Sequence, residues 1–401
     1  MRILLSFENF TGFGGTETYT LTVATELDRL GHDTAIYSPH HGVAAEFARA
    51  KAIPVLRSEQ LPASCDLVIA SDAATCHELA GRYTEAVVLF VAHSADYVLQ
   101  APPQLRDRAQ AVVVLNDRVR RAIEARAWHA PVVRLRQPID LFRYQDLGPG
   151  RPVARTALVS TNYVEGPRAR VIEDACRAGG LQLTWIGATS SSTATPEFAI
   201  AGADIVIGLG RSVLEAMAAG RAAYVYGVVG GDGWITPERY PAMEADGFAG
   251  TSVTEEIVDA ERLAGDLADW DASMGEINRD LASAHHSARE HAIALVDLAR
   301  TLERTPPAEP SLSDELAHLI RLQWRTEGRL TASRAEVARL RSALAEVELE
   351  AAAVHTESES LRTRLIEAEA TLGVLRHTRR YRLATRIAAP WDRLRKAASR
   401  A

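Results

Sequence analysis

Over residues 1–303, short runs of branched apolar residues alternate with longer stretches in which apolar positions recur every three or four residues. The first runs lie at 2–7, 33–37, 53–56, 67–70, 86–92 and 111–115, most of them bounded on both sides by polar residues. That is how buried parallel strands read. Residues 16–30, 73–81 and 117–127 between them have helical spacing. A second series follows, with strands expected at 156–161, 183–187, 204–207 and 222–226 and helices over 211–219 and 289–302. The alternation predicts an α/β chain built on parallel sheets with helices on both faces.

The sharpest unit is ADIVIGLGRSVLEAMAAGRAAYVY, residues 203–226. A strand ends between Gly208 and Gly210, a helix without breakers follows, and Gly220 stops it where a C′ glycine belongs. A helix that starts just past a glycine turn aims unpaired N–H groups and its positive dipole end at the space above the strand. Phosphate groups suit that space. Ser212, Val213 and Leu214 are the expected amide donors, with Arg211 beside them. Glu215, one turn in, is set to accept hydrogen bonds from a diol such as a nucleotide ribose, or is simply a surface Glu. A second glycine-rich turn, FTGFGGTE, opens the first βαβ unit. Gly14 and Gly15 let the backbone approach a ligand closely, or close a plain tight turn. The spacing is not that of a dinucleotide fingerprint.

His93 stands at the C-terminal end of the strand VVLFVA, the edge where open parallel sheets bind ligands. By itself a lone His at a strand end is more often a satisfied structural residue than a ligand-binding one, and His77 and Asp96 read as surface residues. Arg168, with Arg170 as substitute, sits at the start of the helix that follows Asn162. The glycine-rich segment 227–240 reads as a tight loop over a cleft. There Asp232 would take a sugar hydroxyl, and Trp234 would stack on a sugar or plug the core.

A different pattern begins after the Pro-rich linker 305–314. Positions a and d of a seven-residue repeat run from Leu316 to Leu375, and 14 of those 18 positions are apolar. This is a coiled-coil signal, and it implies a homodimer or other oligomer through residues 315–376. The alternative is one long amphipathic helix folded onto the body. The segment 377–401 is basic, with Tyr381, Leu383, Ile387, Trp391 and Leu394 interleaved, and Pro390 is expected to break it into two short helices. Such a stretch suits an anionic membrane surface.

Charge sharpens this division. The 401 residues carry a net −7, yet residues 376–401 alone carry +8, which leaves −15 on the rest. An acidic body argues against nucleic acid as a partner. Cys65, Cys76 and Cys176 have no metal-ligand spacing, so no metal is expected, and an odd count fits a reducing compartment. No window approaches 18 uninterrupted apolar residues, and MRILLSF reads as a first strand rather than a signal peptide.

GRSVLEAMAAGRAAYVY, GGTETYTLTVATELDRLGHDTAIYSP and VVRLRQPIDLFRY together resemble the retaining glycosyltransferases of the GT-B fold, group 1 or family 4-like. The resemblance covers residues 1–303. It implies two Rossmann-like domains facing across a cleft: 1–145 on the acceptor side, 150–285 holding the nucleotide sugar, and a crossover helix over 286–304. It implies no cofactor beyond a nucleoside diphosphate sugar as co-substrate, and a glycan or lipid-linked acceptor. The implied setting is bacterial cell-surface polysaccharide synthesis in the cytoplasm, at the inner face of the plasma membrane. By the same resemblance Glu215 holds the ribose, and His93 reaches the transferred sugar. Arg168 and the amides of Ser212, Val213 and Leu214 take the diphosphate, and Gly14 and Gly15 face the phosphates. Asn162 stands near where the family has an Arg. The family's motif has a further Glu eight residues before Glu215, where this chain has Ile207. That departure, and the short stretch 188–203, keep two alternatives open: a non-catalytic scaffold carried on a coiled coil, and a sugar-nucleotide epimerase of the same fold.

Overall fold

The computed structural model describes all residues except 95–96, 104, 106, 127–129, 146, 149, 162–163, 188–194, 228–230, 253–258, 305, 310–311 and 399–401. Contacts divide the chain into two compact units, residues 1–324 and 325–401.

The first unit holds two sheets. The first contains β1 (Arg2–Ser6), β3 (Asp33–Tyr37), β5 (Val55–Leu56), β6 (Leu67–Ala70), β7 (Val87–Ala92), β8 (Ala111–Val114) and β9 (Val132–Arg134). Their order is β5-β3-β1-β6-β7-β8-β9, all parallel, and β2 (Asn9–Phe10) and β4 (His40–His41) form a small ribbon beside it. The helices are α1 (Gly15–Arg29), α2 (Val43–Ala50), α3 (Ala73–Arg82) and α4 (Asp117–Glu124), while α5 (Leu141–Tyr144), which follows β9, packs into the core of the second sheet. Successive side chains of β1 serve opposite faces, as the strand period demands. Ile3 and Leu5 join Tyr19, Val23 and Leu27 of α1 in one core, while Leu4 joins Cys76 and Leu79 of α3 in another. A sheet covered on both faces needs strands apolar on both, and every residue of β6, β7 and β8 is buried.

The second sheet has β10 (Thr156–Ser160), β11 (Gln182–Ile186), β12 (Ile205–Gly208), β13 (Ala222–Tyr226) and β14 (Gly231–Trp234), in the order β11-β10-β12-β13-β14. All pairs are parallel except β13 with β14. Helices α6 (Pro167–Ala178), α7 (Pro196–Ala201), α8 (Arg211–Ala218), α9 (Tyr240–Asp246), α10 (Ala260–Ala268) and α11 (Ser273–His285) accompany it. β14 corrects the expected loop over the cleft. GDGW is a buried edge strand, held by Trp234 packing edge-on against Tyr224 at 5.0 Å. α12 (Ala288–Thr301) then returns to the first sheet, where Ala292, Leu295 and Val296 enter the core beside α1.

Two helices follow, α13 (Ser313–His377) and α14 (Arg379–Ala398). α14 runs through Pro390, contrary to the expected break. A proline inside a helix removes one donor and crowds one carbonyl, and the turns on either side carry the helix past it. The first turns of α13 dock on the first sheet's side of the body: Ala317 is fully buried and Ile320 packs against the α3 core. Arg321 anchors them. Its Nε donates to both oxygens of the buried Glu8 carboxylate at 2.9 and 2.8 Å, and its Nη2 donates to Glu78 at 2.7 Å. No described helix is long and apolar enough to cross a membrane.

Removing one partner of a buried ion pair strands the other charge. Arg321→Met is therefore expected to lower the unfolding free energy by about 3 kcal/mol, read as a lower urea midpoint. An unchanged midpoint would show that the anchor carries no load.

Candidate functional site

Between the two sheets lies a cleft of about 610 Å³. Gly14, Gly15, Glu17 and His93 line it from the first sheet's side. Ser160, Arg211, Ser212 and Glu215 line it from the second.

α8 begins at this cleft. Gly210 has φ +57°, a conformation that side chains resist, and its N–H is taken by the Phe248 carbonyl at 2.9 Å. Leu214 N–H already donates to the Gly210 carbonyl at 3.4 Å. Leu214 therefore drops out of the expected amide set, and the first-turn donors ahead of it are the amides of Arg211, Ser212 and Val213. The side chains of Val213 and Leu214 belong to the core. Below them β12 and β10 run close together: a Cβ on Gly208 would sit 2.7 Å from the Ser160 carbonyl oxygen. Ser160 Oγ donates to Ser212 Oγ at 3.0 Å, which fixes the helix start over the strand end.

Arg211 works across the cleft. Its Nε donates to Glu215 Oε1, its Nη1 to the Pro138 carbonyl and its Nη2 to Thr22 Oγ1, each at 3.1 Å. Its guanidinium is thus spent on joining the lobes and holding Glu215. Glu215 is only 6% exposed and lies at the cleft wall.

The start of α1 differs from that of α8. The Glu17 carboxylate reaches back over the backbone amides of Gly14 and Glu17, and burial pushes its pKa up. A Cβ on Gly14 would come within 2.7 Å of it. The positive end of α1 therefore lies under the protein's own carboxylate, whereas the Gly210 cap of α8 makes no side-chain hydrogen bond among the described residues. Glu17 has a local signal of its own, since a Glu two positions past a Gly-Gly turn is a readable capping pattern.

His93 stands at the end of β7 with Tyr19 edge-on at 4.9 Å, and its buried Nε2 has no hydrogen-bond partner among the described residues. Burial, then Arg211 and His291, lower its pKa to about 3, so the ring is neutral. Two other histidines clamp the connection between the lobes. His291 donates from Nδ1 to the Arg136 carbonyl at 2.9 Å and accepts the Tyr19 hydroxyl at Nε2, also 2.9 Å. His286, at the C-cap of α11, repeats the arrangement with the Gln137 carbonyl and the Tyr240 hydroxyl, both at 2.8 Å. Tyr19 comes from the first lobe and Tyr240 from the second. Ile139 N–H donates to the His286 carbonyl and Ala288 N–H to the Ile139 carbonyl, closing the seam. Arg134 adds an ion pair to the buried Glu244 at 2.6 Å.

Other expected residues fall elsewhere. Arg168 is in the first turn of α6, beside the end of β10, and its buried Nη1 has no hydrogen-bond partner among the described residues. Arg170 is exposed on the same turn. Asn162 and Asp96 lie outside the described residues. Asp232 is 2% exposed, and its carboxylate accepts from Ser252 N and Oγ, so it does not face the cleft. Trp234 is buried, its indole N–H on the Asp266 carbonyl at 2.7 Å, which leaves no face for a sugar. His77, read as a surface residue, is buried in α3 with its pKa lowered to about 4. Ile207 is fully buried in β12 and points away from α8, into the core shared with α6 and α10. No group of His, Cys, Asp or Glu suited to a metal ion occurs among the described residues.

No family model and no curated protein matches the chain. Solved structures do. The chain is similar to Anabaena HepE in complex with UDP and glucose, at 12% identity and a TM-score of 0.52, over 75% of this chain and 100% of that one. It is similar to the same protein in complex with UDP-glucose with a TM-score of 0.51, at the same identity and coverage. The likeness establishes the fold, which is GT-B.

Four buried histidines, His77, His93, His286 and His291, are held neutral here with pKa values lowered to about 4, 3, 4 and 4. Unfolded, each binds a proton near pH 6.5, so below that the unfolded chain holds more protons and stability falls as pH drops toward about 4. Asp72, raised to about 7 by burial and Glu8, acts in the opposite sense, as does Glu17. The four are expected to win: the urea midpoint should fall between about pH 7.5 and pH 5, and His291→Gln should flatten that fall. A midpoint that rises toward acid would contradict the histidine account.

Proposed function

We propose that the chain is a glycosyltransferase that moves a sugar from a nucleoside diphosphate sugar to a glycan or lipid-linked acceptor, with retention. The observation that carries this reading is the start of α8 at the cleft wall, without a side-chain cap among the described residues, with Ser212 fixed over Ser160 and Glu215 one turn inward. A diphosphate seated on the amides of Arg211, Ser212 and Val213 would gain charge as the sugar's C1–O bond breaks. Fixed amide dipoles at that helix start would stabilise that charge without reorganising. The acceptor oxygen would bond to C1 from the same face, and its proton would pass to the departing phosphate. His93, neutral and with no partner at Nε2 among the described residues, would hold a sugar hydroxyl rather than carry charge. Glu215 would accept from the ribose through the oxygen not given to Arg211. Gly14 and Gly15 would border the mouth, toward the acceptor. HepE, a protein of this fold, binds UDP-glucose, which makes UDP sugars the first donors to try. The basic segment 377–401 would bring such an enzyme to an anionic membrane face in a bacterial cytoplasm, where cell-surface polysaccharides are made.

One observation favours a second reading, a non-catalytic scaffold. Ile207 is buried in the strand, so the family's first motif Glu has no counterpart facing the cleft. Thermal unfolding with a panel of UDP, GDP and ADP sugars separates the two. Glycosyl transfer predicts a rise in Tm with at least one donor and slow release of its free sugar. Glu215→Gln should weaken that donor about tenfold, the loss of one charge-assisted hydrogen bond. No shift with any donor would overturn the proposal in favour of the scaffold. Conversion of the donor to an epimer without acceptor would overturn it in favour of an epimerase.

A further inference from the structure

The second compact unit leaves an apolar stripe bare. Leu330, Val337, Leu340, Leu344, Leu361 and Leu365, all at a or d positions, are 45–60% exposed. An α-helix of this length with one apolar seam does not stay unpaired in water. We propose that this stripe binds a second copy of the chain as a parallel, in-register coiled coil, over about residues 326–375.

The flanking charges select both partner and direction. In a parallel pair each g position meets the e position five residues on in the partner. Glu336 then meets Arg341 of the partner subunit, Glu357 meets Arg362 of the partner subunit, and Arg364 meets Glu369 of the partner subunit. Twofold symmetry makes each of these contacts twice. One like pair, Arg329 with Arg334 of the partner subunit, opposes them. An antiparallel pair with full overlap instead sets g against g and e against e. That brings Arg334 to Arg362 of the partner subunit, Glu327 to Glu369 of the partner subunit, and Glu350 to its own copy, with only Glu336 and Arg364 attracting. Charge pairs of this kind are individually weak, yet they choose orientation because the apolar seam itself does not. Ser333 and Ser358 on the seam facing their own copies, rather than leucine, further penalise a slipped register.

The pairing begins only past Trp324, because Ala317, Ile320 and Arg321 are committed to the body. Its span is roughly 75 Å of helix. A parallel pairing brings the two copies of α14 to the same end. Two basic segments then act together, with the gain in binding that linked contacts give.

Single cysteines at Leu340→Cys and Leu361→Cys, tested separately in the full chain, report the arrangement. The native Cys65, Cys76 and Cys176 are buried and free, and the parent chain is the control. Parallel in-register pairing predicts that each variant oxidises to a disulfide-linked dimer, and that the parent sediments at twice its chain mass. It also predicts that Glu336→Arg with Glu357→Arg weakens the dimer at least tenfold, and that adding Arg341→Glu with Arg362→Glu restores it. A monomer at tens of micromolar, a higher oligomer, or a dimer in which neither cysteine cross-links would each overturn the proposal.

Discussion

The geometry of the cleft depends on how residues 136–139 are held. They join two lobes that each have their own sheet and core, so the lobes are set relative to each other by this connection and by a few polar ties across it. The grip comes from the segment that ends α11 and begins α12. His286 and His291 donate to successive carbonyls of the connection, and each accepts a tyrosine hydroxyl, one from each lobe. Every polar atom in these two chains has a partner, which is what makes a buried polar network stiff rather than costly. Arg211 adds a third tie, from α8 to Thr22 of α1 and to Pro138. The start of α8 faces the loop before α1 because these ties hold it there.

That arrangement assigns different tasks to two similar features. Both lobes present a glycine turn and a helix start to the cleft. In α1 the electrostatic demand of the helix end is met internally by Glu17. In α8 the carboxylate one turn in, Glu215, is drawn aside by Arg211. The asymmetry follows from side-chain placement, since the backbone turns alone would treat the two ends alike.

Most of the strands were legible because a sheet covered on both faces demands continuous apolar runs, and LVIA or VVLFVA can do little else. β9 was not, because its three residues include Arg134 and none is fully buried. β14 was not, because GDGW has no strand propensity of its own; pairing with β13 and the Tyr224 ring impose the conformation. That one miss moved Asp232 and Trp234 from an imagined loop to a buried edge. At the cleft, the glycine-bounded start of α8 could be read locally, since its geometry is encoded within a few residues. The histidine–tyrosine ties could not: Tyr19 and His291 are 272 residues apart, and neither has a neighbour that announces the other. Leu214 was misassigned by one position, the difference between a helix's last unpaired amide and its first paired one.

The central claim is that an outside anion finds its place at α8 and not at α1. A crystal structure of the chain with a bound nucleoside diphosphate tests it most directly. The account predicts phosphate oxygens within hydrogen-bond reach of the amides of Arg211, Ser212 and Val213, with Glu17 still folded over Gly14. Phosphates seated on the Gly14–Glu17 turn, with Glu17 displaced, would contradict it.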